Sequence, residues 1–77
     1  MALINDAATA WSSPITLTQD EVWQTRSGSV LVSTTANPAP DDGILLRQGY
    51  GLRLAAGKTV YYRKDGTAEA LIVREGV

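Results

Sequence analysis

The chain has no cysteine, no histidine and no phenylalanine among its 77 residues. Without cysteine there is no disulfide framework, zinc ribbon, iron–sulfur cluster or thiol nucleophile. Without histidine there is no Ser-His-Asp or Cys-His machinery and no imidazole metal site. Neither sign of charge is in excess: 7 Lys+Arg stand against 8 Asp+Glu, a net charge of −1. A nucleic-acid binder usually carries a basic surplus, so no nucleic-acid partner is expected. No apolar run approaches the roughly 20 residues of a membrane-spanning helix, so no membrane partner is expected either. The opening Met1-Ala2-Leu3-Ile4-Asn5-Asp6 has neither the basic stretch nor the apolar stretch of a signal peptide, and none is expected.

What is present is one small domain rich in glycine and threonine. A chain near this length buries only about 60% of the surface its unfolded form exposes. Small domains add disulfides, a metal or self-association to a core that is barely sufficient alone. The first device is absent here and most of the second, so a homo-oligomer is expected.

Residues 1–13 read as an N-terminal arm, Ala-rich and carrying Leu3, Ile4 and Trp11. Asp6 could cap a short helix over Ala7 to Trp11; an irregular arm is the alternative. Pro14 stops any helix and pushes Ser13 to an extended conformation. Residues 14–77 read as a single antiparallel β domain. Ile15-Thr16-Leu17 alternates apolar and polar. Residues 21–26 and 30–35 are rich in strand formers, and Ser27-Gly28-Ser29 between them is a hairpin signal. Residues 36–43 hold two prolines, an Asn-Pro and an Asp-Gly, and mark the longest loop. Strands follow over 44–48, 52–54, 59–63 and 68–74, with turns at 49–51, 55–58 and 64–67. Asp65-Gly66 is the preferred pair of a type I′ hairpin. Strands every 8 to 12 residues, with no room for crossover helices, predict an all-β fold. The expected architecture is a small antiparallel β-sandwich or jelly-roll-like barrel of six to seven short strands.

Strand residues i and i+2 share a face. Leu52 and Leu54 point one way and Arg53 the other, giving one wet face. Four strands are apolar on both faces: Val22 lies opposite Trp23, Val30 and Val32 opposite Leu31, Val60 opposite Tyr61, and Leu71 and Val73 opposite Ile72. One core can take only one face of each strand. The second set needs the arm, with Leu3, Ile4 and Trp11, or another copy of the chain to cover it. Trp11, Val22, Trp23, Leu31, Tyr61 and Ile72 are therefore the candidate interface residues. Aromatic side chains at the centre of an interface commonly carry most of its binding energy.

No motif carries catalysis, a cofactor or a metal. Gly49-Tyr50-Gly51 lacks the third glycine and the helix of a dinucleotide fingerprint. Ala56-Gly57-Lys58-Thr59 resembles the end of a phosphate-binding loop, but Leu52 stands where its first glycine belongs and a strand follows. Asp41-Asp42 and Asp65 read as turn residues rather than calcium ligands. Ser12, Ser13 and Ser27 have no base to activate them. The chain is therefore expected not to be an enzyme. Trp23, Tyr61 and Tyr62 could instead form a sugar platform, with Trp23 beside Gln24 or Glu21 as the one candidate; a small carbohydrate-binding β-sandwich module is the alternative function.

The run from Glu21 to Glu75 combines an early Val22-Trp23-Gln24 strand, a turn into Val30-Leu31-Val32, a Pro-Asp loop closing on Asp42-Gly43-Ile44-Leu45-Leu46, and residues 55–63 reading AAGKTVYYR. In this it resembles the short β-sandwich structural proteins of tailed phages and prophages, which serve as head-fibre, decoration or tail-accessory components. The resemblance implies a non-enzymatic virion component that self-associates, with a trimer preferred and a dimer next, and that binds other virion proteins. It implies a location in the virion, or in the bacterial cytoplasm before assembly. It implies no catalytic residues.

Overall fold

The computed structural model describes residues 2–77. Eight strands follow in order: β1 (Ala2–Ile4), β2 (Ile15–Thr16), β3 (Glu21–Ser27), β4 (Ser29–Ser33), β5 (Ile44–Arg47), β6 (Gly51–Leu54), β7 (Thr59–Lys64) and β8 (Leu71–Gly76). A first sheet has the order β1-β8-β3-β6 and a second the order β2-β7-β4-β5. Every pairing is antiparallel. The all-β antiparallel sandwich expected from the strand spacing is therefore what the chain forms.

The pairing is nested. β1 pairs β8, β2 pairs β7, β3 pairs β6 and β4 pairs β5. The chain is thus one long two-stranded ribbon, folded back at residues 34–43. It is then rolled until β3 also meets β8 and β4 also meets β7. This is the strand order of a jelly roll.

Rolling explains two departures from the sequence-based expectation. The Ser27-Gly28-Ser29 turn does not close a hairpin, because β3 lies in the first sheet and β4 in the second. It is a corner between layers. Gly28 sits there at φ +73°, and a Cβ on it would lie 2.6 Å from the Glu69 carbonyl oxygen. Asp65-Gly66 likewise carries the chain from β7 in one sheet to β8 in the other. Both turns have hairpin composition, but tertiary pairing assigns their strands to different partners. Among the described residues, only β4 and β5 are consecutive and paired, across the longest loop.

The arm expected over residues 1–13 divides in two. Its start is β1, an edge strand on β8 whose Ile4 enters the core. This is the strand beyond the six to seven expected, formed because pairing with β8 orders a segment too short to signal itself. Residues 5–14 are irregular, without the helix that Asp6 could have capped. They run along β7 instead: Lys64 N–H donates to the Ala8 carbonyl at 2.9 Å and Ser12 N–H to the Tyr62 carbonyl at 2.8 Å. The arm thereby lengthens the short edge strand β2.

The core lies between the sheets. Trp23, Thr25 and Ile72 from the first sheet meet Val30, Val32 and Val60 from the second, all fully buried. Thr25 fits this apolar setting because its hydroxyl donates to the Leu46 carbonyl at 3.0 Å, tying β3 to β5. A buried hydroxyl without such a partner costs about 1–3 kcal/mol.

Candidate functional site

Three regions gather the side chains with chemistry to offer, and each follows from the rolled topology. The first lies inside, at one end of the sandwich. β3 alternation turns Glu21 and Trp23 inward, and β8 brings Arg74 opposite Trp23. Arg74 grips Glu21 with two bonds of 2.9 Å, from Nε and from a terminal nitrogen. The Trp23 indole N–H donates to the same carboxylate at 2.9 Å. The Arg74 guanidinium also lies over the Trp23 ring, 5.3 Å from its centroid. Tyr62 meets Trp23 edge to face at 6.1 Å and donates its hydroxyl to Asp6 at 2.7 Å.

The charges in this network are tuned by these contacts. Hydrogen bonding from Arg74 holds the Glu21 carboxyl below its usual range, against the opposing effect of burial. Burial, with the Asp6 carboxylate behind it, pushes the Tyr62 phenol up to about 12. Both groups serve structure. The bidentate pair satisfies a carboxylate that is almost entirely enclosed, and a charge in that position is stable only when paired.

The second region is the outer face of the second sheet. Leu31, Leu45, Tyr61 and Arg63 share this face by register. Much of it is covered. Trp11, from the irregular arm, donates its indole N–H to the Ala39 carbonyl at 2.9 Å and so holds the loop over residues 34–43. Arg63 lies over the Trp11 ring at 5.5 Å and donates to the Pro40 carbonyl. Its Nε is buried with no partner among the described residues. Gly43 has φ +103°, and a Cβ there would come within 3.0 Å of Trp11. Asp42 braces the same loop by accepting from Ala39 N–H at 2.8 Å. An open cleft remains where Trp11, Tyr61 and Pro14 meet Asn37 and Pro38.

The third region is the outer face of the first sheet, where Leu3, Val22, Gln24, Arg53 and Glu75 are exposed and Val73 is buried among them. Register places its residues in rows. One row runs Glu75, Val22, Arg53 across β8, β3 and β6. The next runs Leu3, Val73, Gln24, Gly51 from β1 to β6. Leu3 is 53% exposed and Val22 42%. Arg53 makes one exposed pair with Asp20 at 3.1 Å, of a kind worth about 0–1 kcal/mol.

The six residues expected at an interface thus separate. Trp23 and Ile72 fill the subunit's own core at 0% exposure and offer no surface, so their place on a contact face is corrected. The reason is that β3 and β8 lie side by side, which turns both residues to the same inner face. Leu31 is buried on the outer face of the second sheet, and Tyr61 and Trp11 border the cleft beside it. Val22 alone stands free on the open face. Glu75, its neighbour there, was missed, and Leu3 was read as part of a covering arm rather than of the exposed face. The adjacency of Val22 and Glu75 joins residues more than 50 positions apart in the chain, and no local pattern carries it.

The glycine motifs take their places as turns. Gly49-Tyr50-Gly51 leads into β6, and Gly57 and Lys58 precede β7 with no helix following. No protein-family model, curated protein or solved structure matches this chain.

Proposed function

We propose that the chain is a non-enzymatic structural component of a virion or prophage particle, of the head-fibre, decoration or tail-accessory kind. It self-associates and docks on a larger assembly of other virion proteins, reaching it from the bacterial cytoplasm where it is made. The observation that carries this reading is the outer face of the first sheet, with Leu3 and Val22 exposed on it, whereas on the second sheet Leu45 is exposed but Leu31 is buried beside the arm and the long loop. An exposed apolar patch ringed by polar residues is the mark of a protein interaction site. Jelly rolls serve in capsids, which supports the reading by analogy of fold only. Immunoblotting of gradient-purified particles from the encoding culture tests it. The chain is expected in the particle fraction; confinement to the particle-free fraction contradicts it.

The carbohydrate-binding alternative gains support from a different place than Trp23, whose ring is buried and whose N–H is held by Glu21. The Trp11–Tyr61 cleft, with Asn37 at its rim, is the surface that suits a sugar ring. Sugar titration of Trp fluorescence tests this reading. A saturable change that Trp11→Ala abolishes supports it, and a flat response across a glycan panel removes it.

A further inference from the structure

The open face of the first sheet carries a charge pattern that is complementary to itself. β8, β3 and β6 are neighbours in that order. Glu75 and Arg53 therefore lie about 4.8 Å to either side of Val22, at the spacing of adjacent strands. All three point outward, as the exposed positions of alternating strands. An acid, an apolar residue and a base form one straight row across the sheet.

We propose that a second copy of this chain packs face to face on this sheet, about a two-fold axis running along β3. The proposal rests on the self-association in the function proposed above and names its surface and symmetry. Such an axis exchanges the two sides of β3. It sets Val22 against the partner's Val22, Glu75 against the partner's Arg53, and Arg53 against the partner's Glu75. Two ion pairs then flank one apolar contact. In the next row, Val73, already buried among its own neighbours, faces Gly51 of the other copy, which has no side chain to obstruct the approach of the two sheets. Two sheets packed this way run nearly parallel, within the range of the ordinary aligned arrangement.

Other placements of the same face serve less well. An axis along β8 would set Glu75 against itself. A three-fold, as the resemblance to phage proteins implies, needs two different surfaces that fit each other. The row across Val22 fits itself, which is the property of an isologous dimer. The weak Arg53–Asp20 pair does not hold Arg53 back, since both partners are largely exposed.

Charge reversal with mixing tests the pairing. Arg53→Glu and Glu75→Arg each change an exposed side chain, so both variants should fold with a wild-type circular dichroism spectrum. Each alone places like charges opposite one another twice, and its dimerisation constant should weaken on the order of a hundredfold. Mixed in equal amounts, the two variants restore both attractions across the axis. The carboxylate introduced at position 53 of one faces the guanidinium introduced at position 75 of the other, and the untouched Glu75 faces the untouched Arg53. Sedimentation velocity should then show a dimer in the mixture and monomers in each separate sample. Wild-type-like dimerisation by the single variants overturns the proposed face while leaving self-association standing. Failure of the mixture to dimerise, with each variant monomeric, overturns the Glu75–Arg53 pairing. A wild-type chain that stays monomeric overturns both the dimer and the self-association it rests on.

Discussion

Trp23 shows how much one side chain can be asked to do in so small a core. Its ring is fully buried against Tyr62, and its N–H and one ring face are taken up by Glu21 and Arg74. Read from sequence, Trp23→Ala weakens self-association; with the ring in the core, it removes the fold itself. Large-to-small changes at such a position cost about 3–5 kcal/mol, against a total stability near the lower end of about 5–15 kcal/mol. Arg74→Ala strikes the same network by leaving the Glu21 carboxylate enclosed without its partner, and should cost about 3 kcal/mol or more at neutral pH in urea unfolding. The Glu21 carboxyl is held below its unfolded value. The stability it contributes is complete above the unfolded carboxylate range, at about 4.3, and is lost as pH falls through the lowered native value. The gap between Arg74→Ala and the native chain should therefore narrow in acid. Tyr62 has the opposite sign. Its phenol is raised to about 12, so its contribution is complete below the unfolded value near about 10 and fades as pH rises through the raised native value. Ultraviolet titration should show a late tyrosinate step that Tyr62→Phe removes.

Among the elements, the corner at Gly28 and the arm over residues 5–14 decide how the ribbon rolls. Gly28→Ala forces a left-handed backbone on a residue with a Cβ and drives that Cβ into the Glu69 carbonyl. The left-handed conformation alone costs about 1–2 kcal/mol, so with the clash added a loss of more than about 2 kcal/mol is expected in thermal or urea unfolding. Trp11→Ala should act more gently, releasing the loop over residues 34–43 that the indole holds through Ala39. Faster amide exchange and proteolysis in that loop, with little change at β3 or β8, is the expected outcome. The strands themselves were largely legible from sequence, because β-branched runs and Gly/Pro/Asp turns are local signals. Residues 59–63 and 52–54 fell almost where β7 and β6 lie. The partners of the strands were not legible. Ser27-Gly28-Ser29 and Asp65-Gly66 have hairpin composition, yet both serve as corners between layers. Of the doubled apolar faces read from sequence, Leu31 on the second sheet is buried beside the arm and the long loop, whereas Val22 on the first is exposed. Which face went inside depended on pairings such as Trp23 with Arg74, and these belong to the rolled ribbon as a whole.

At the scale of the molecule, the fold answers the shortage of cross-links in three ways. The ribbon is rolled so that β3 and β8 each gain partners on both sides. The arm and the long loop shield much of the second sheet. The first sheet is left open, and in the proposed dimer a second copy of the chain would cover it. The resulting body has a Cα radius of gyration of 11.1 Å, as compact as a globular chain of this length should be. The open face is the central claim, and Val22 at its middle is exposed and makes no part of the core. The direct measurement is the mass of the native chain and of Val22→Asp by sedimentation equilibrium, at about 100 µM, where an interface of modest affinity is populated. The native chain should sediment at twice its 8.2 kDa monomer mass, and Val22→Asp, equally folded, at the monomer mass. A native chain of monomer mass at that concentration, or a Val22→Asp variant as dimeric as the native chain, would contradict the account.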